Sequence, residues 1–214
     1  MTSDDLASRR EDYARGGLAE TDLTADPLDL FRRWYADSAD AGLHEPNAMA
    51  VATATPDGAP SVRFVLLKGF SPDGFVFYTN LTSRKGHELL ANPRCALLFP
   101  WHPLERQVRV EGHATELPRA DVDAYFASRP RGSQLGAWAS HQSTVVSGRA
   151  ELDAEYAEVA ARFDGGEVPT PDEWGGFRVR PDRFEFWQGR TGRMHDRLTY
   201  RRTEEGWETE RLAP

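Results

Sequence analysis

The stretch "SVRFVLLKGFSPDGFVFYTN", residues 61–80, decides the fold. Two runs rich in valine and phenylalanine, 61–68 and 75–80, flank "SPDGF", where proline, aspartate and glycine each preset a turn dihedral. Short apolar runs bounded by turn residues read as strands. The pattern extends both ways: "AMAVATA" (48–54) precedes "TPDGAP", while "CALLFPW" (95–101) and "RQVRVEGHAT" (106–115) follow. The tail adds "GFRVRP", "RFEFWQG", "RLTYRR" and "GWETERL". Strands joined by tight turns pair antiparallel and point to a closed or nearly closed barrel.

Helices decorate that barrel. "DPLDLF" opens one that Asp26 caps and Pro27 starts, with Leu28, Phe31, Trp34 and Tyr35 as its buried stripe. "SRKGHELLAN" is a helix capped by Ser83. "LPRADVDAYFASRP" and "SQLGAWASHQ" are helical, with Pro130 breaking between them and Ser133 capping the second. "ELDAEYAEVAARFDGG" sets Leu152, Tyr156, Val159 and Phe163 on one face. The fold class is α+β, mainly β with helices. No linker splits the chain, so residues 21–214 form one domain behind an N-terminal arm, residues 1–20.

Composition narrows the function. The chain has 214 residues, 39% hydrophobic and 28% charged, which describes a soluble globular protein. A net charge of −8 argues against a nucleic-acid binder, so any anion site must be local. The single cysteine, Cys95, excludes an internal disulfide, fits a reducing cytoplasm and reads as a buried, inert thiol. No segment reaches the ~18 apolar residues of a membrane span, and the polar N-terminus is no signal peptide. The six histidines show no metal-ligand spacing, and no nucleotide-cradling glycine loop or serine elbow is present.

Four local anion-binding devices remain. "TSRKG" (82–86) puts Arg84 and Lys85 in a first helical turn, where cations oppose the helix dipole unless an anion sits there. In "YFASRPRGS", Tyr125 and Arg129 share a helix face and Ser133 follows the break, which offers three donors to one phosphate; the plainer alternative is a helix end with an ordinary cap. "RFVLLK" brackets four apolar residues with Arg63 and Lys68, on opposite faces unless Lys68 projects from the strand end. "GRMHDR" (192–197), read as a strand, aligns Arg193, His195 and Arg197 on one face, with Trp187 across a hairpin. Two phosphate-type sites among aromatics imply two phosphorylated, planar ligands.

"RFVLLK", "FYTNLTSRKG", "LFPWHPLERQVRVEG", "YFASRPRGSQLGAWASHQS", "WGGFRV", "FEFWQGRTGRMHDR" and "RLAP" stand in one order along the chain. Together they resemble the pyridoxine (pyridoxamine) 5′-phosphate oxidase family. The resemblance implies an FMN-binding split β-barrel, working as a cytoplasmic homodimer with flavin at the interface. It implies oxidation of pyridoxine 5′-phosphate and pyridoxamine 5′-phosphate to pyridoxal 5′-phosphate, with O2 as electron acceptor and hydrogen peroxide released. Arg63, Leu66, Lys68, Tyr78, Thr79, Arg84, Lys85, Gln107, Gln142, Ser143, Trp187 and Arg197 look like FMN contacts. Tyr125, Arg129 and Ser133 match the substrate-phosphate clamp; Lys68, Arg193 and His195 match groups around the pyridine ring. Arg193 and His195 are then positioning and polarising groups, with His195 a secondary candidate for proton acceptor. Arg10 and Tyr13 resemble a lid over the substrate. Arg190 departs from the pattern, standing where a small residue is expected. A relative on the same barrel with another substrate, such as a phenazine-type oxidase or a deazaflavin-dependent reductase, is the alternative, and a non-catalytic flavin or vitamer carrier a further one.

Overall fold

The computed structural model describes residues 11–214; Arg10, assigned above to the lid, lies outside them. Strand β1, Ala48–Ala54, alternates half-buried and buried residues, and β2 (Pro60–Leu66) follows across a turn in which Gly58 adopts φ 94°. The short β3 (Gly69–Ser71) and β4 (Gly74–Asn80) form the hairpin expected around "SPDGF". Its Gly74 has φ 133°, and a Cβ there would lie 2.2 Å from the Val179 carbonyl oxygen, so no other residue fits.

Strands β5 (Arg94–Trp101), β6 (Arg106–Glu116), β7 (Trp174–Gln188), β8 (Asp196–Arg202) and β9 (Trp207–Leu212) complete the described set. The strand order is β2-β1-β5-β6-β7-β4-β3, with β8 paired to β7 and β9 to β8. The two strands expected from "GFRVRP" and "RFEFWQG" are one, β7, running straight through Pro181. Residues 174–179 pair with β4 and residues 183–188 with β8, so the proline falls between those two ladders.

The helices are α1 (Pro27–Asp40), α2 (Arg84–Ala91), α3 (Arg119–Ala127), α4 (Arg131–Ala139) and α5 (Arg149–Arg162). Asp26 caps α1 by accepting from the Leu28 amide, and Ser83 caps α2 by accepting from the Gly86 amide. Ser133 is not a cap: Pro130 holds that position, and Ser133 lies inside the first turn of α4 with its amide on the Pro130 carbonyl. The face expected on α5 is only half used, since Val159 and Phe163 pack inward while Tyr156 stays exposed.

Two compact units make up the described chain. One takes residues up to Ala50 with Leu97–Glu111 and Pro181–Pro214; the other takes Val51–Ala96 and Gly112–Arg180. Every change of unit falls inside a strand rather than at a linker. The core of the first joins α1 to the sheet: Phe31 meets Phe99 at 4.9 Å, and Trp34 meets Phe186 edge-on at 5.3 Å. In the second, Phe77 packs on Phe177, and a separate cluster gathers Val122, Phe126, Leu135 and Trp174. Cys95 is buried, as expected.

Candidate functional site

In the second unit, a cavity of about 1050 Å³ collects nearly all the residues that the first three motifs nominated. One end is the N-terminus of α2. Lys85 is only 8% exposed; its ammonium donates to the Gln142 side-chain oxygen at 2.6 Å and to the Ser83 hydroxyl at 3.2 Å. Neither acceptor carries charge. Burial, aided by the nearby Arg63 charge, pulls the Lys85 pKa down to about 8.

Arg63 and Arg84 are held by a residue the sequence reading missed. Glu88, 4% exposed, takes Arg84 Nε on one oxygen at 2.8 Å and faces Arg63 at 3.5 Å on the other. Thr53 and Ser61 hydroxyls also donate to it. Burial pushes the carboxyl pKa up, but the hydroxyl and guanidinium donors outweigh it and hold the group at about 2. Three cations against one carboxylate leave a net local charge of two positives, the complement of a phosphate dianion. The available signal was the four-residue spacing of Arg84 and Glu88 on one helix.

Aromatic rings build the other end. Tyr78 stacks on Tyr125 at 3.9 Å and on Trp174 at 5.4 Å, all nearly parallel. The Arg129 guanidinium lies 4.7 Å from the Trp174 ring centre, and its Nη1 is buried with no hydrogen-bond partner. A buried N–H left without an acceptor is costly, so this end can receive an anion that supplies one. Ser133, no longer engaged as a cap, lines the cavity beside it. Lys68 lies just past the end of β2 with its amide on the Val76 carbonyl, and thus reaches the same cavity as Arg63. Leu66, Thr79, Gln142 and Ser143 also line it, with Ser143 at φ 75°.

The fourth motif is built differently from the row of donors expected. In the first unit, residues 191–193 form a 3-10 turn with Arg193 at φ 61°, and β8 starts only at Asp196. Strand alternation therefore does not reach Arg193. Arg193 and His195 nevertheless line a second cavity, about 750 Å³, with Tyr13, Trp187 and Arg190. The His195 ring centre is 4.7 Å from that of Trp187, and its Nδ1 accepts the Arg190 amide at 3.2 Å, leaving Nε2 for a ligand. Arg197 turns elsewhere: its Nε meets Glu185 at 2.8 Å and its Nη1 donates to the Ala213 carbonyl. That carboxylate, shared with Arg109 at 2.7 Å, raises the Arg197 pKa. Gln107 is half-buried on β6; neither it nor Arg197 lines the two cavities.

An antiparallel sheet carrying a cavity with clustered cations at one end and stacked aromatics at the other places the fold in the split-barrel class. A family model described as pyridoxamine 5′-phosphate oxidase matches residues 36–163, and one for the pyridoxine 5′-phosphate oxidase C-terminal dimerisation region matches residues 174–214. The chain belongs to the pyridoxamine 5′-phosphate oxidase family. It is 68% identical over 210 residues to a pyridoxine/pyridoxamine 5′-phosphate oxidase of Nocardioides, covering 98% of both chains. A protein of that name from Rubrobacter xylanophilus is 59% identical, covering 98% of this chain and 97% of the other. The solved structure of PhzG from Burkholderia lata, bound to tetrahydrophenazine-1-carboxylic acid, is 34% identical with TM-score 0.86, covering 92% and 98%. A pyridoxamine 5′-phosphate oxidase-related, FMN binding protein from Nostoc punctiforme shares the fold at 15% identity, with TM-score 0.70 over 90% and 100% of the chains.

Proposed function

We infer that the chain oxidises pyridoxine 5′-phosphate and pyridoxamine 5′-phosphate to pyridoxal 5′-phosphate, with FMN as its flavin, O2 as electron acceptor and hydrogen peroxide as the second product. One observation carries the reading: a single cavity offers two separate anion ends, Lys85 with Arg84 and Arg63 at one and Arg129 with Ser133 at the other. A cofactor phosphate and a substrate phosphate account for both. The two-electron redox chemistry would come from the flavin held by these residues, with the vitamer as hydride donor and O2 as final acceptor.

The chain's own residues bind and orient. Arg63, Arg84, Lys85 and the free amides of α2 hold the cofactor phosphate. Leu66, Lys68, Tyr78, Thr79, Gln107, Gln142, Ser143, Trp187 and Arg197 are assigned to the rest of the cofactor. Arg129, Tyr125 and Ser133 grip the substrate phosphate, while Arg193 and His195 flank the pyridine ring and Lys68 lies beside it. With Nδ1 on a backbone donor, His195 meets the substrate through Nε2. Tyr13, with Arg10, belongs to the covering arm, residues 1–20, and residues 21–214 form the body. The protein works as a cytoplasmic homodimer with the flavin at the interface; the dimerisation-region match at 174–214 supports the dimer, and the lone buried thiol suits a reducing compartment.

The likeness to PhzG raises a second reading, a phenazine-type oxidase, against which Arg129 speaks, because a substrate without phosphate leaves that buried nitrogen unpaired. Purified protein should be yellow and, with pyridoxamine 5′-phosphate in air, should yield peroxide and aldehyde together. A colourless protein that refuses FMN defeats the proposal; a yellow one inert to both vitamers moves it to the phenazine-type reading.

A further inference from the structure

Asp196 stands within "GRMHDR", between two residues assigned to the site, yet it lines neither cavity. Its carboxylate accepts the Leu18 amide at 3.0 Å and meets Arg211 Nη1 at 2.7 Å. Arg211 closes the ring by donating to the Leu18 carbonyl at 3.0 Å and pairing with Glu20 at 2.6 Å. One side-chain pair thus holds both backbone groups of Leu18, whose own side chain is buried. Arg190 adds a second tie: its guanidinium reaches the Gly16 carbonyl at 3.4 Å and Asp196 at 3.7 Å.

One glycine makes the approach possible: a Cβ on Gly189 would lie 2.7 Å from the Tyr13 ring. Tyr13 is consequently seated on the hairpin backbone, 5.8 Å from Trp187 and 5.7 Å from His195 between ring centres. Upstream, the Arg15 amide donates to the Glu105 carboxylate.

We propose that Asp196, Arg211 and Arg190 are positioning residues that strap segment 13–20 to the hairpin and so hold Tyr13 as a wall of the pocket containing Trp187, Arg193 and His195. The strap gives Arg190 a purpose and accounts for Asp196, whose carboxylate is engaged by Leu18 and Arg211. The proposal rests on the oxidase reading for the identity of the ring that Tyr13 confines, a phosphorylated pyridine; the docking itself does not.

The test pairs amide hydrogen exchange over residues 11–20 of the ligand-free protein with KM and kcat for pyridoxamine 5′-phosphate on the FMN-loaded enzyme. In Arg211→Met the Leu18 amide should exchange at least tenfold faster, with KM raised about tenfold and kcat held within about twofold. Arg211→Lys should recover part of both. Gly189→Ala displaces Tyr13 without touching a charge, and should raise KM while leaving the Leu18 amide protected. Unchanged exchange in Arg211→Met overturns the strap, and so does an unchanged KM in both Arg211→Met and Gly189→Ala. Should wild type be inert to both vitamers while Leu18 is protected, the oxidase reading falls and takes Tyr13's assigned role with it, the docking contacts alone surviving.

Discussion

Lys85 keeps its proton in a place where burial and the Arg63 charge both oppose it. Its folded pKa, about 8, lies below the ordinary 10.5, so in the ligand-free protein the unfolded chain binds more protons between those values. Stability from this group therefore rises with pH across that window. Phosphate reverses the sign, because an adjacent dianion favours the ammonium form, and binding above pH 8 draws in a proton. FMN affinity should be flat from about pH 6.5, above the ~6 second pKa of phosphate, and fall as pH climbs through 8. Fluorescence titration checks this, and Lys85→Met should bind more weakly and lose the slope; a mutant with the wild-type slope would reject the assignment. Arg129 offers a contrasting case, since its Nη1 has nothing to lose in the free protein. Arg129→Ala should raise KM by about 10- to 100-fold, the worth of a charged hydrogen bond. The ligand-free melting temperature should move little by comparison, and a large drop there would mean that the residue serves packing over Trp174 rather than substrate.

Helix α2 is where element and site meet. Its first turn supplies Arg84 and Lys85, and its second supplies Glu88, the carboxylate that keeps Arg63 and Arg84 apart from one another and oriented. Glu88→Ala removes the acceptor for two hydroxyls and Arg84 and the charge partner of Arg63 at once, which should cost about 3 kcal/mol in urea unfolding. Glu88→Gln keeps an acceptor oxygen and should cost less. The carboxyl's depressed pKa, about 2 against 4.5, makes its contribution full above the unfolded value and lost as pH falls towards 2. The wild type should thus lose more stability between pH 5 and pH 2.5 than Glu88→Gln does, and equal losses would deny Glu88 this role. At this scale much was legible beforehand. Short apolar runs and turn residues located β1, β2, β4, β5 and β6, and Asp26 and Ser83 cap the helices they were assigned to. The misses have physical causes. Pro181 looks like a terminator until the ladder partners on either side of it are known, and β3 is too short to show a period. Ser133 resembled a cap because Pro130, one turn earlier, was read only as a breaker. Glu88 was invisible because an acidic residue in a helix looks solvated until Thr53 and Ser61 arrive from distant strands.

At the scale of the whole molecule, a net charge of −8 keeps general polyanions away, while the few cations lining the cavity are those proposed to hold particular phosphates. The same separation of general surface from special patch appears in the apolar residues. Val62 and Phe64 are 67% and 68% exposed on one face of β2, the strand at one end of the sheet order, and both line the large cavity. Such a strand is seldom left bare without a partner, since edge strands with apolar faces invite pairing. The homodimer proposed above provides one: a second copy covering this face would bury both residues, worth roughly 1.5–3 kcal/mol for each side chain. It would also close the cavity that the flavin is proposed to occupy, tying assembly to cofactor retention. Phe64→Glu should therefore shift the protein from dimer to monomer in light scattering at micromolar concentration, and FMN should be lost on gel filtration in step with the dimer. Val62→Thr, milder in charge and shape, should weaken both in the same order without abolishing either. A Phe64→Glu protein that stays dimeric and yellow would place the subunit interface elsewhere and leave β2 exposed for some other purpose.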